Sequence, residues 1–457
     1  MTRLRVNSAA ALAAVLAIPG CSTLAPPPVA PESAAAVPAA GPASAAAKPT
    51  SGIDQPRAAA LTHKIMEAVA RARSLKITGE VQVEVKRRSE IREIARDSMY
   101  EHNTPEQIRL FTRIEASLGV LPLGADGEQI LLDMLETGVM GVYEPKNKTL
   151  LIGTHVGESM LDMVVGHEIA HGLQDMHFDL KKLQQPIRGD SDAESARTYL
   201  VEGDAQAAYL AWVSGERGLA SIDDAVFLAT GNQALDLADL APYPILARSL
   251  QLPYADGAAT VARLVRERGW SAVDALYADL PTTTEQMLHL DKLLAREAPH
   301  RVTVNDAALT PQLPGHRVVW QDNIGEASLL AMLADVEPAP VARAAAAGWG
   351  GDRYIALDTE PPGVAPLCIG LIAFDSDADA AEFEPVFTAY LSKQVPDAFH
   401  LERRQARVLF ATQVRDDATR SAVRTAWTAF TSEPPIAGKP RTLTASPGTP
   451  ATQRPAT

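Results

Sequence analysis

Cysteine is nearly absent: Cys21 and Cys368 are the only two in 457 residues. A disulfide framework is therefore excluded, and so is a structural zinc site closed by several thiolates. Stability has to come from a buried core, and the chain is long enough for one or two domains. Basic residues are also in short supply. Lys and Arg number 42 against 56 Asp and Glu, a net charge of −14 that becomes −16 without Arg3 and Arg5. That balance argues against nucleic acid as a partner and against electrostatic docking on anionic lipid. Lys86-Arg87-Arg88 is the one compact basic run, and it reads as a solvated helix start. No apolar run reaches transmembrane length, and no repeat of about 20–50 residues is visible.

What the chain does have begins at its ends. Arg3 and Arg5 precede a short apolar run, Ser8 to Ile18, which closes at Pro19-Gly20-Cys21. This pattern resembles a bacterial lipoprotein signal over residues 1–20, with Cys21 lipidated as the new N-terminus. Pro19 departs from the small or aliphatic residue usual there, and a plain secretory signal is the alternative. Both readings take the protein out of the cytoplasm, and the first places it in the cell envelope, on the periplasmic side or outer membrane. Residues 21–56 are mostly Ala, Pro and Ser and read as a tether between lipid and domain. Residues 431–457, rich in Pro, Thr and Ala, read as a disordered tail.

Between the ends the expected fold class is α+β. Helical spacing covers residues 56–76, 90–101, 104–118 and 127–135, with Thr104 as an N-cap and Gln107 at its third position. Residues 75–85 alternate and read as a strand. Val139 to Tyr143, the turn Pro145 to Lys148, and Thr149 to Ile152 form a hairpin signal. A second helix is expected from Asp192 to Trp212, and more helices to about Arg296. A mostly helical domain is thus expected over 57–305. After a boundary near 305–315, residues 316–430 change to an α+β module with strands at 354–357, 367–374 and 406–414.

His167-Glu168-Ile169-Ala170-His171 carries the chemistry. Residues four apart share a helix face, so His167 and His171 can aim two imidazoles at one Zn²⁺, and Glu168 can serve as general base to an attacking water. Leu161, Val164 and Val165 before it, and Leu173 after it, supply the apolar helix such a site needs. Two solvated histidines on a surface helix are the bland alternative.

A catalytic zinc site wants a third protein ligand. His177 stands where metzincins have theirs, but those chains break the helix with Gly midway, and here the position is Gln174. In a continuing helix a residue six further on is rotated by about 240° and points away. Glu202, in Tyr199-Leu200-Val201-Glu202-Gly203-Asp204-Ala205, fits better: a carboxylate from a following antiparallel helix is the gluzincin arrangement. In that apolar stretch metal ligation would offset the cost of burying the carboxylate. Gly203 would let another backbone come close, and Asp204, about 200° away round the helix, could orient a neighbouring group.

The run Val164 to Leu180, with Leu200-Val201-Glu202-Gly203-Asp204-Ala205, resembles a family of neutral zinc metallopeptidases of bacteria and archaea. Gly141-Val142-Tyr143-Glu144-Pro145, Pro253 to Gly257 and Thr284 to His289 are similar too. The resemblance covers about residues 75–300. It implies a gluzincin-like core with His167 and His171 as ligands, Glu168 as base and Glu202 as third ligand, and brings no substrate with it; the expected reading is zinc-dependent hydrolysis of a peptide or protein. Gly350-Gly351-Asp352-Arg353-Tyr354 resembles a module that often follows this part, without assigned chemistry. Asp175 is a candidate to support a ligand histidine, and Tyr143, Tyr254 and His289 are candidate donors to a transition-state oxygen. The rivals are a non-catalytic zinc-containing envelope lipoprotein and a metal-dependent cell-wall amidase.

Overall fold

A computed structural model of the chain describes residues 52–227, 242–435 and 440–441. The signal and nearly all of the tether, residues 1–51, and the tail from 442 onward lie outside the described residues. The fold is α+β, with a helical N-terminal part and a sheet-rich C-terminal module. No helix among the described residues is long and apolar enough to cross a membrane.

Helix α1 (Gln55–Arg73) starts on Asp54, whose side chain accepts the Arg57 N–H, and ends at Ser74 in the left-handed region. Ile53 before it is already buried, so the fold begins short of residue 57. Strand β1 (Gln82–Lys86) is shorter than the alternation over 75–85 suggests, and pairs in parallel with β3 (Thr149–Gly153). The expected hairpin is present as β2 (Gly141–Glu144) and β3, paired antiparallel. The sheet order is β1-β3-β2, which makes β2 an edge. Helices α2 (Arg88–His102), α3 (Pro105–Leu118) and α4 (Gly127–Gly138) intervene, and α3 opens on the Thr104–Gln107 capping box.

Helix α5 (Glu158–Phe178) carries the H-E-x-x-H pentad and runs without a break through Gln174. Leu161, Val164, Val165, Ile169 and Leu173 bury its apolar face against α1 and the hairpin. Helix α6 (Ser191–Val213) packs across α5 and brings Glu202 with it. Helix α7 (Pro244–Leu252) leads into a π-turn at Pro253–Gly257 and α8 (Ala258–Arg268), and these last two lie against α6. Helix α9 (Trp270–Ala278) follows, then the short α10 (Thr284–Leu288) and α11 (Leu290–Ala295).

In the C-terminal module strands β5 (His316–Asp322), β6 (Trp349–Thr359), β7 (Leu367–Phe374), β8 (Phe399–Arg404) and β9 (Arg407–Thr412) form one sheet in the order β5-β6-β7-β9-β8. Helices α12 (Glu326–Leu333), α13 (Ala339–Ala346) and α14 (Asp377–Gln394) cover it. Two expectations about the ends of this module are corrected. Strand β4 (Arg301–Val304), expected in the helical domain, pairs antiparallel with β10 (Phe430–Glu433), so hydrogen bonds cross the boundary at 305–315. The disordered tail does not begin at 431 either, because β10 runs to Glu433. Further on, Arg441 is buried, donating to the carbonyls of Asp279, Leu280 and Leu293.

Candidate metal centre

The geometry follows from two helices crossing. His167 and His171, one turn apart on α5, face Glu202 on α6, and all three side chains are buried. His167 Nε2 lies 3.0 Å from His171 Nε2 and 3.3 Å from Glu202 Oε2, and His171 Nε2 lies 3.5 Å from the same oxygen. A tetrahedral ion with bonds of about 2.0–2.1 Å separates its donors by about 3.3–3.4 Å. The triangle therefore fits zinc in spacing, and two nitrogens with one carboxylate fit it in chemistry. Among the described residues one other cluster could hold an ion, the carboxylates of Glu285, Glu297 and Asp375, whose oxygens lie within 4.8 Å of one another. There Lys292 Nζ already serves as the cation, 3.2 Å from Glu297, 2.7 Å from Asp375 and bonded to Glu285.

The ligand nitrogens are oriented from behind. His171 Nδ1 meets Gln174 Oε1 at 2.8 Å, and His167 Nδ1 meets Gln206 Oε1 at 3.1 Å. Holding Nδ1 in this way turns Nε2 of each ring to the centre. Burial pushes the pKa of His167 down, which favours the neutral imidazole a metal needs. Burial acts the same way on His171, but the Glu202 carboxylate outweighs it and raises the value. Glu202 is itself pushed up by burial, and the hydrogen bonds and charges of the two histidines overcome that, holding it well below the usual carboxylate range.

Glu168 is fully buried on the same helix, and its Oε2 accepts the backbone N–H of Tyr143 at 2.7 Å. Strand β2 can approach this closely because residue 141 is glycine; a Cβ there would lie 2.5 Å from Val164 Cγ1 and 3.3 Å from Glu168 Cγ.

The three candidate oxyanion donors separate clearly. Tyr254, on the π-turn, has its ring 5.5 Å from that of His167. The Tyr143 hydroxyl is spent on Asp175 Oδ2 at 3.0 Å, about two turns along α5 from Glu168, and His289 pairs with Glu326 at 2.8 Å. Asp175 does not support His171; it takes the Tyr143 hydroxyl and the Leu180 N–H. That supporting role falls to Gln174, which sequence reading treats only as a helix former in place of Gly. The missed signal is its spacing, three residues past His171 and so on the same face. His177 is exposed and meets Lys76 O at 2.7 Å, away from the centre.

Residues 316–434 match the family described as Domain of unknown function (DUF8575). The match begins with β5 and ends just past β10, so it covers the sheet-rich module. No curated protein matches the chain, and no solved structure does.

Proposed function

We propose that this chain is a zinc-dependent peptidase held in the cell envelope by lipid on Cys21. One observation carries the reading: two imidazole nitrogens and a carboxylate oxygen stand buried at the spacing of a tetrahedral ion, with Glu168 adjacent in sequence to the first ligand. Zinc bound by His167, His171 and Glu202 would polarise a carbonyl and make water acidic enough to ionise near pH 7.

The rest of the work falls to side chains of this protein. The Tyr143 N–H fixes the orientation of the Glu168 carboxylate. Glu168 takes a proton from the water that attacks the peptide carbonyl carbon, and gives it to the amine nitrogen as the C–N bond breaks. Tyr254, beside His167, is the candidate donor to the negative oxygen that develops. The Tyr143 N–H points out of β2 toward Glu168, so an extended peptide pairing with this edge would pass the base.

Glu168→Gln should retain zinc and lose hydrolysis by at least a hundredfold in a purified assay; a rate equal to wild type would falsify the mechanism. Comparing unfolded protein, short peptides and peptidoglycan fragments distinguishes a peptidase from a cell-wall amidase. Mass spectrometry of the mature N-terminus tests the anchor, which fails if Cys21 is unmodified. Burial of all three ligands favours a second reading, a structural zinc in a non-catalytic lipoprotein. That reading has no use for Glu168, and no activity on any of these substrates would favour it.

A further inference from the structure

A chain of hydrogen bonds, its donors converging on Asp204, ties His171 to residues outside the metal centre. It begins at Arg73, the last residue of α1, whose guanidinium is buried and can only donate. Arg73 gives Nε–H and Nη2–H to Asp204 at 2.5 and 3.2 Å. It is braced by α9, through Asp274 Oδ1 at 2.7 Å and the Trp270 ring at 4.5 Å. Asp204 faces donors on every side, since it also takes the Tyr277 hydroxyl at 2.8 Å.

Gln174 is the next link, and its amide has only one satisfactory orientation. Its NH₂ group donates to Asp204 Oδ2 at 3.0 Å and to the Val201 carbonyl at 2.9 Å, both pure acceptors. A flipped amide would set oxygen against both. Its Oε1 is thereby turned to His171 Nδ1 at 2.8 Å, where it can only accept. Whenever the ring is neutral, His171 must then carry its proton on Nδ1 and present the Nε2 lone pair to the site.

We propose that Arg73, Asp204 and Gln174 are positioning residues that lock His171 in the metal-binding tautomer, and that α1 is through Arg73 a part of the metal centre. The proposal rests on the zinc reading above for its consequence, but the tautomer is a property of the metal-free protein. The opposite tautomer would put a hydrogen on Nε2, where an ion needs the lone pair.

Gln174→Met keeps length and removes both ends of the relay. In this variant zinc affinity, read by competition with a chromophoric chelator, should fall 10- to 100-fold. Nitrogen-15 NMR of the metal-free variant should show His171 shifting from Nδ1–H toward a mixture with Nε2–H. Arg73→Met should weaken zinc in the same direction, although it also leaves Asp204 short of a partner and can unfold the chain; Gln174→Met keeps the test independent of that. Zinc affinity within twofold of wild type, with His171 still protonated on Nδ1, overturns the proposal. So does a neutral wild-type His171 with its proton on Nε2 alone. Wild-type protein that binds no zinc yet holds His171 as Nδ1–H would remove the zinc reading and leave the relay standing.

Discussion

Glu202 carries the largest physical conflict at the scale of single residues. A carboxylate almost wholly removed from water is costly unless something charged or hydrogen-bonding answers it. His167 and His171 answer it in the metal-free state, and an ion between the three would do so more fully. Glu202→Ala should therefore lower zinc content well below one ion per chain, as metal analysis after dialysis would report. Full occupancy would move the third ligand elsewhere. The pentad and Glu202 could be found from the residues because helical spacing and an acid in an apolar run are local signals. Gln174 and Gln206 could not be assigned that way, since a glutamine becomes a partner of histidine only when a crossing helix fixes which way its amide turns.

Helix-scale contacts decide where Tyr254 goes. Helix α6 and the π-turn at Pro253–Gly257 meet backbone to backbone at two glycines. A Cβ on Gly203 would lie 2.4 Å from the Gly257 carbonyl carbon, and one on Gly257 would lie 2.5 Å from Tyr199 O. Neither contact can relax by rotating a side chain. Gly203→Ala should destabilise the protein by about 1–3 kcal/mol in denaturant unfolding, the usual cost of overpacking. Because the displaced π-turn carries Tyr254, the proposed peptidase activity should drop beside the stability loss. Unchanged stability would mean that α6 and the turn can part without cost. Sequence reading anticipates a close backbone approach at Gly203, but which backbone arrives is a matter of packing about 50 residues away.

Across the whole molecule the two parts are joined more closely than the boundary at 305–315 suggests. Phe111 of α3 packs edge-on against Trp320 of β5, and Ser117 donates to Pro366 O at 2.6 Å. The start of α6 is clasped by the turn after β5. Asp322 accepts the Ser191 N–H and hydroxyl, and Asn323 accepts the Asp192 N–H. Asp352 in turn holds that turn through the N–H groups of Ile324 and Gly325. The module matching a domain of unknown function thus secures the helix that bears Glu202.

Glu115, on α3 at this junction, gives the junction a pH dependence. Burial, aided by the Asp322 charge, pushes its pKa up to about 8, and its Oε1 has no hydrogen-bond partner. The folded state then holds a proton that the unfolded chain releases near pH 4.5, so this contribution to stability is complete below pH 4.5 and is lost as pH rises toward 8. The Tm of wild type should fall by several degrees between pH 5 and 8, and Glu115→Gln should flatten that fall. An equal slope in the variant would place the titration elsewhere.

By itself the sequence determines the helix that bears H-E-x-x-H, the β2–β3 hairpin, the switch from helices to sheet, and the scarcity of cysteine that leaves stability to the core. Each of these is written in contacts between near neighbours, through helical or alternating period, caps and turns. Only the tertiary structure decides that Tyr254 rather than Tyr143 or His289 stands beside His167. It alone pairs β4 with β10 and carries a hydrogen-bond chain from Arg73 to His171. Those outcomes depend on residues more than 80 positions apart meeting at one point, and on which donor then faces which acceptor. No local period encodes such a meeting.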